Sequence, residues 1–176
     1  MELSDIVSAV PKENACMFTG HRDLVNIDKD DLSLRVKEEI VRQYGRGITT
    51  FFAGGAIGFD MLASVTLLNL KNALPDLRLI LALPHFRHYE RWSRSDKAVF
   101  AEILRRANGV IYMEKEYTPG CMHRRNRFMV DHAGTCICYL AKETGGAAFT
   151  VREAKKQGLT VVNLARPTTE QTGFDL

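Results

Sequence analysis

Short apolar runs and stripes of apolar residues at helical spacing take turns along this chain. Ala15 to Phe18 reads as a buried strand. Leu32, Val36, Ile40 and Tyr44 then recur every four residues, which predicts a helix that Asp28 can cap and Gly45 or Gly47 can end. Ile48 to Ala53 is a second strand. Met61 to Leu74 is apolar nearly all round, the pattern of a buried helix, and Pro75 stops it. Leu77 to Leu83 is a third strand, and Val99, Phe100, Ile103, Leu104 and Ala107 form one helical stripe. A strand at Val110 to Met113, a helix over about 121 to 133, a strand at Thr135 to Leu140, a helix at Phe149 to Gln157 and a strand at Thr160 to Leu164 complete the series.

Strands that alternate with helices of ten or more residues imply right-handed crossovers and a mostly parallel sheet. The expectation is one α/β domain of three layers, about six strands with helices on both faces. Residues 1–12 read as an N-terminal segment, 13–165 as the domain, and 166–176, with Pro167 and no periodicity, as a loose C-terminal tail.

Composition narrows the class. At 176 residues one domain can bury roughly two thirds of its unfolded surface, so no covalent staple is needed. Hydrophobic residues at 45% and charged residues at 26% exclude disordered and fibrous readings. No run approaches the roughly 20 apolar residues of a membrane span, and the acidic start with Pro11 is unlike a secretory signal, so the expected location is cytoplasmic. Cys16, Cys121, Cys136 and Cys138 form no CxxC pair and read as reduced packing residues. The five histidines show no ligand spacing, and neither a metal nor a cofactor is expected. The formal charge of +3 is too small to argue for nucleic acid, which is not expected as a partner.

Chemistry-bearing residues come directly after the strands, and open parallel sheets bind ligands outside the carboxyl ends of their strands. The first strand runs into Thr19-Gly20-His21-Arg22 and the second into Gly54-Gly55-Ala56-Ile57-Gly58-Phe59-Asp60. Without Cβ atoms Gly54 and Gly55 let the backbone approach an anion, although such a pair equally makes a tight turn. Arg22, Arg124 and Arg125 present planar forks for a phosphate or are simply exposed. Tyr89 and Trp92, with Phe86, either wall a base pocket or staple the next helix.

Taken together, Thr19-Gly20-His21-Arg22, the Gly54 to Asp60 turn, Pro119-Gly120-Cys121-Met122-His123-Arg124-Arg125-Asn126-Arg127-Phe128-Met129-Val130-Asp131 and Gly145-Gly146 resemble the YpsA-like branch of the SLOG superfamily of Rossmann-like proteins. The resemblance covers about residues 13 to 165 and implies a Rossmann-like fold that binds a nucleotide or a nucleotide-derived ligand such as ADP-ribose. Thr19, Gly20, Arg22, Gly54, Gly55, Gly58, Tyr89, Trp92, Arg124, Asn126, Gly145, Gly146 and Thr150 are the ligand-binding candidates. The superfamily also holds the Lonely Guy phosphoribohydrolases. Met122-His123-Arg124-Arg125-Asn126 and Thr150-Val151-Arg152-Glu153 resemble their catalytic segments, placing Arg125 and Glu153 at the catalytic pair, with Asp60 as a further acid. One residue too many separates Gly146 from Thr150, which rotates the rest of that helix by roughly 100°. The expected function is therefore a sensor-type binding protein. Nucleoside-monophosphate N-glycosidase is the first alternative and a single-strand DNA binder like the superfamily member DprA the second. A homodimer is an expected assembly.

Overall fold

The computed structural model describes residues 2–165. The chain runs α1 (Leu3–Ser8), a 3-10 turn (Lys12–Asn14), β1 (Ala15–Gly20), α2 (Lys29–Gly45), β2 (Thr50–Ala53), α3 (Phe59–Leu70), β3 (Arg78–Leu83), α4 (Arg94–Arg106), β4 (Gly109–Tyr112), α5 (Cys121–His132), β5 (Thr135–Tyr139), α6 (Gly146–Lys156) and β6 (Thr160–Asn163). The six strands form one sheet in the order β4-β3-β2-β1-β5-β6, and every neighbouring pair is parallel. The α/β three-layer expectation is met.

Alternate residues of each strand feed two cores. Phe18, Phe51, Leu79, Leu81 and Ile137 face α2, α3 and α4, with Phe18 stacked on Phe51 at 5.6 Å. Met17, Phe52, Ile80 and Cys136 face α5 and α6. Strands buried on both faces lose the polar alternation of a half-exposed sheet, which is why their sequences are continuous apolar runs. All four cysteines are free and buried, Cys16 in the first core and Cys136 and Cys138 in the second.

The differences from the sequence reading are local. Within the N-terminal segment, α1 places Val7 in the second core and lies near β4. Six residues are too few to show a helical period. α3 ends at Leu70 rather than Leu74, yet the Leu74 amide donates to the Leu70 carbonyl at 2.8 Å and Leu74 still packs on the core. The apolar pattern thus outlasts the helix by one turn. β2 begins at Thr50 because the Ile48 amide closes the end of α2 on the Gln43 carbonyl. α6 begins at Gly146, three residues early, since Gly145 with φ of +94° serves as its N-cap. The tail expectation for 166–176 falls outside the described residues.

Connectivity positions the site. From β1 the chain builds outward to β4, then returns to β5 on the other side of β1. Neighbouring crossovers diverge there, opening a crevice beyond the carboxyl ends of β1 and β5, where Gly20 pairs with Tyr139.

Candidate ligand-binding site at the switch point

That crevice holds a cavity of about 350 Å³. β1 contributes Thr19 and Gly20, with His21 and Arg22 just beyond it, while α3 contributes Asp60. α5 supplies Met122, His123, Arg125 and Asn126, and α6 supplies Gly146 and Ala147.

Arg125 is 5% exposed. Its guanidinium donates to the Gly54 carbonyl through Nη1, to Asn126 Oδ1 at 2.7 Å through Nε, and to the Met122 sulfur at 3.7 Å through Nη2. Among the described residues it forms no ion pair. Burial pulls its pKa down, and the charge of nearby Asp60 opposes that. Asp60 is also buried, its Oδ2 accepting from the Ala56 amide at 2.9 Å. Burial pushes its carboxyl above the ordinary value against the pull of that N–H and of Arg125. A buried cation whose remaining donors meet only neutral acceptors leaves positive potential at the cavity wall.

Helix ends add to it. α2 is capped by Asp28, which accepts from the Asp30 and Asp31 amides, and α4 by Ser93, which accepts from the Asp96 amide. α3, α5 and α6, the three helices whose first turns border the cavity, begin instead on Gly58, Gly120 and Gly145, with no side-chain cap. The first amides of α3 and α5, those of Phe59 and Cys121, donate to the His21 and Thr118 carbonyls at 3.1 Å, but no side chain covers the rest of these first turns, and their positive dipole ends face an anion in the cavity. His21 closes the edge between the strands. Its Nε2 accepts from the Ala141 and Lys142 amides at 2.9 and 3.1 Å, and burial, then Lys142, lowers its pKa.

Of the candidates from sequence, the cavity wall brings together Thr19, Gly20, Arg22, Asp60, Arg125, Asn126 and Gly146. The others lie elsewhere. Gly54 sits behind Arg125, and a Cβ there would meet Nη1 at 2.6 Å, so its bareness admits the guanidinium. Gly55 has φ of +63° and backs onto Leu83, and its carbonyl accepts from His88 Nε2 at 2.9 Å. Gly58 packs on the Arg22 backbone. Tyr89 and Trp92 pack with His88 and Phe100 and do not border the cavity. Arg124 braces the β4–α5 loop through Glu114 at 3.1 Å and the Pro119 carbonyl at 3.1 Å. Gly145 is the cap of α6, and the buried Thr150 hydroxyl donates to the Gly146 carbonyl at 2.9 Å. Glu153 lies in a second cavity between α5 and α6, paired with Lys156 at 3.3 Å, so the catalytic pair implied by the Lonely Guy resemblance is not assembled. His21, Ala56, Met122 and His123 line the cavity without being candidates from sequence; each belongs to a family-like motif, but nothing in the sequence ranks it above its neighbours.

Among the described residues no helix is long and apolar enough to cross a membrane, and no three potential ligands are grouped to hold a metal. Comparison with known proteins places the chain in a family. The chain is 28% identical over 140 residues to the SPbeta prophage-derived protein YoqJ of Bacillus subtilis, covering 73% of this chain and 80% of that protein. It is 24% identical over 170 residues to a UPF0398 protein of Staphylococcus haemolyticus, covering 89% and 87%. Among solved structures, DNA processing protein A of Helicobacter pylori, described for its single-stranded DNA binding mode, matches with a TM-score of 0.63 at 21% identity over 94% of this chain and 70% of its own. DNA processing protein A of Streptococcus pneumoniae matches with a TM-score of 0.64 at 16% identity, and this chain covers 54% of it. At those identities the likeness is one of fold. The model described as the YspA SLOG family matches residues 16–163, most of the chain, and the protein therefore belongs to the YpsA family of SLOG proteins.

Proposed function

We propose that this protein binds a phosphate-bearing small molecule, a nucleotide or a nucleotide derivative such as ADP-ribose, in the switch-point cavity. The observation that carries the reading is Arg125, a buried guanidinium without an ion-pair partner among the described residues, in the wall of a cavity that the first turns of three side-chain-uncapped helices border. A phosphate in the cavity meets the guanidinium charge and the positive helix ends together. Thr19 and Asn126 supply polar contacts for a sugar, and Arg22 supplies a second charge at the mouth.

The hydrolase alternative asks for an acid beside the sugar. Glu153 lies outside the cavity, which leaves Asp60, and Asp60 is tied to the Ala56 amide. Binding without turnover is accordingly the reading. In a thermal-shift screen of AMP, NAD and ADP-ribose, a ligand at 100 times its dissociation constant adds about 2.7 kcal/mol of stability. Arg22→Ala, on an exposed side chain, should cut that shift without lowering the unliganded melting temperature. Free base released from AMP on chromatography, and lost in Asp60→Asn, would replace this reading with the hydrolase.

A further inference from the structure

The switch-point cavity is small for a whole nucleotide. At about 350 Å³ it stands near the lower end of the range of roughly 300–1,000 Å³ that small ligands occupy. Polar and charged side chains share its walls with apolar surface, and its Phe18 is fully buried. A phosphate and sugar suit it, and a base must continue elsewhere.

Two grooves adjoin the cavity. One, of about 490 Å³, runs between α5 and α6 and shares His123 and Asn126 with it. Phe149, three residues along α6 from the cavity-lining Gly146, is 39% exposed on this groove and meets the His123 ring edge-to-face at 5.3 Å. An exposed aromatic on the wall of a groove offers a base a face to stack on. Of the other polar residues of the groove, Arg124 is engaged with Glu114 and Gln157 with Asp131, while Arg127 lines it as an exposed cation. The Glu153 side chain pairs, among the described residues, with the exposed ammonium of Lys156 and keeps acceptor oxygen toward the groove. Its chemistry selects a partner that donates, such as the exocyclic amine of a base. The other groove, about 870 Å³, meets the cavity at Arg22 and is walled by Leu34, Ile57, Met61, Leu62, Val65 and Val99, none of which presents an aromatic face.

We propose that the ligand is a nucleoside 5′-phosphate with an amino-substituted base, whose phosphate and sugar fill the switch-point cavity and whose base lies in the α5–α6 groove against Phe149, its amine donating to Glu153. This rests on the reading of the cavity as a phosphate site. Under it the residue aligned with a catalytic acid is a specificity determinant.

Calorimetric titration of the full chain with AMP, IMP and ribose 5-phosphate tests both layers. AMP should bind at least tenfold more tightly than IMP, which carries a carbonyl where AMP carries the amine. Phe149→Ala should weaken AMP about tenfold and leave ribose 5-phosphate unchanged. Glu153→Gln, whose amide both donates and accepts, should abolish the preference for AMP over IMP. A 5′-phosphorylated oligoadenylate, which carries the same group on a strand end, should bind no more tightly than AMP. Ribose 5-phosphate binding as well as AMP, with Phe149→Ala silent, would overturn the base subsite and spare the phosphate site. Loss on Val99→Ala instead would move the base to the other groove, and tighter oligonucleotide binding would replace the free nucleotide. If neither AMP nor ribose 5-phosphate bound, the phosphate reading would fall and the subsite with it.

Discussion

Arg125, Gly54, Gly55 and His88 form one chain of contacts from the cavity wall to the β3–α4 loop. The guanidinium bonds the Gly54 carbonyl, and the next carbonyl along, that of Gly55, accepts from His88. The two glycines therefore do different work, and substitutions should separate them. Gly54→Ala drives a methyl against Nη1 and should displace Arg125, reducing AMP affinity at least tenfold while stability falls by about 1 kcal/mol. Gly55→Val meets Leu83 at 2.3 Å from a positive-φ backbone, so denaturant unfolding should show a loss of about 2–3 kcal/mol. From sequence this pair is a phosphate-approach turn or a tight turn. The reason Gly54 must be bare, a guanidinium 71 residues away, is a tertiary contact with no local signature.

His88 makes the same chain sensitive to acid. Burial pushes its pKa from 6.5 down to about 4, against the upward pull of the Gly55 carbonyl that accepts from its Nε2, and its Nδ1 is buried without a partner among the described residues. The unfolded chain then takes up a proton before the folded one does. Stability is complete above pH 6.5 and declines as the pH falls toward 4, by up to about 3 kcal/mol. His21, also depressed, acts in the same direction, whereas the raised Asp60 carboxyl acts in the opposite one. His88→Gln keeps a donor for Gly55 and removes the titration. Wild type should lose unfolding free energy relative to the variant between pH 6.5 and 4, with the difference flat above 6.5, and a difference independent of pH would refute the assignment.

At the scale of elements, the strands and the long helices were legible because both faces of the sheet are covered and α2 carries its cap and stripe in plain sequence. Legibility failed where an element is short, as in α1, or where a glycine starts a helix rather than ending a loop, as at α6. The second failure bears on function. Side-chain caps mark α2 and α4, which begin away from the switch point, and glycine caps mark the three helices that begin on it. A side-chain oxygen at those starts would occupy the N–H groups a phosphate needs. Ser93→Ala should therefore cost about 1 kcal/mol in unfolding free energy and leave AMP affinity within twofold of wild type. An equal loss of affinity would mean that α4 is part of the site after all.

For the molecule as a whole, the choice is between an enclosed nucleotide and a nucleic-acid strand. The fold likeness to DNA processing protein A does not decide it, since at 21% and 16% identity only the architecture carries over. Charge and shape do bear on it. A formal charge of +3 spread over 176 residues offers a weak field for a polyanion, and the donors with the strongest case here, Arg125 and three helix starts, converge on one cavity instead of tracking a groove. Strand binding releases roughly 0.7 counterion per phosphate contacted. Six contacts would lower affinity more than a hundredfold between 50 and 200 mM salt, whereas one buried phosphate would lower it about threefold. We expect the AMP dissociation constant to rise by no more than about threefold across that range, and oligothymidylate of 20 nucleotides to bind more weakly than AMP at 200 mM. A steep slope for the oligonucleotide together with the tighter affinity at 200 mM would identify the crevice as a seat for one nucleotide of a longer strand.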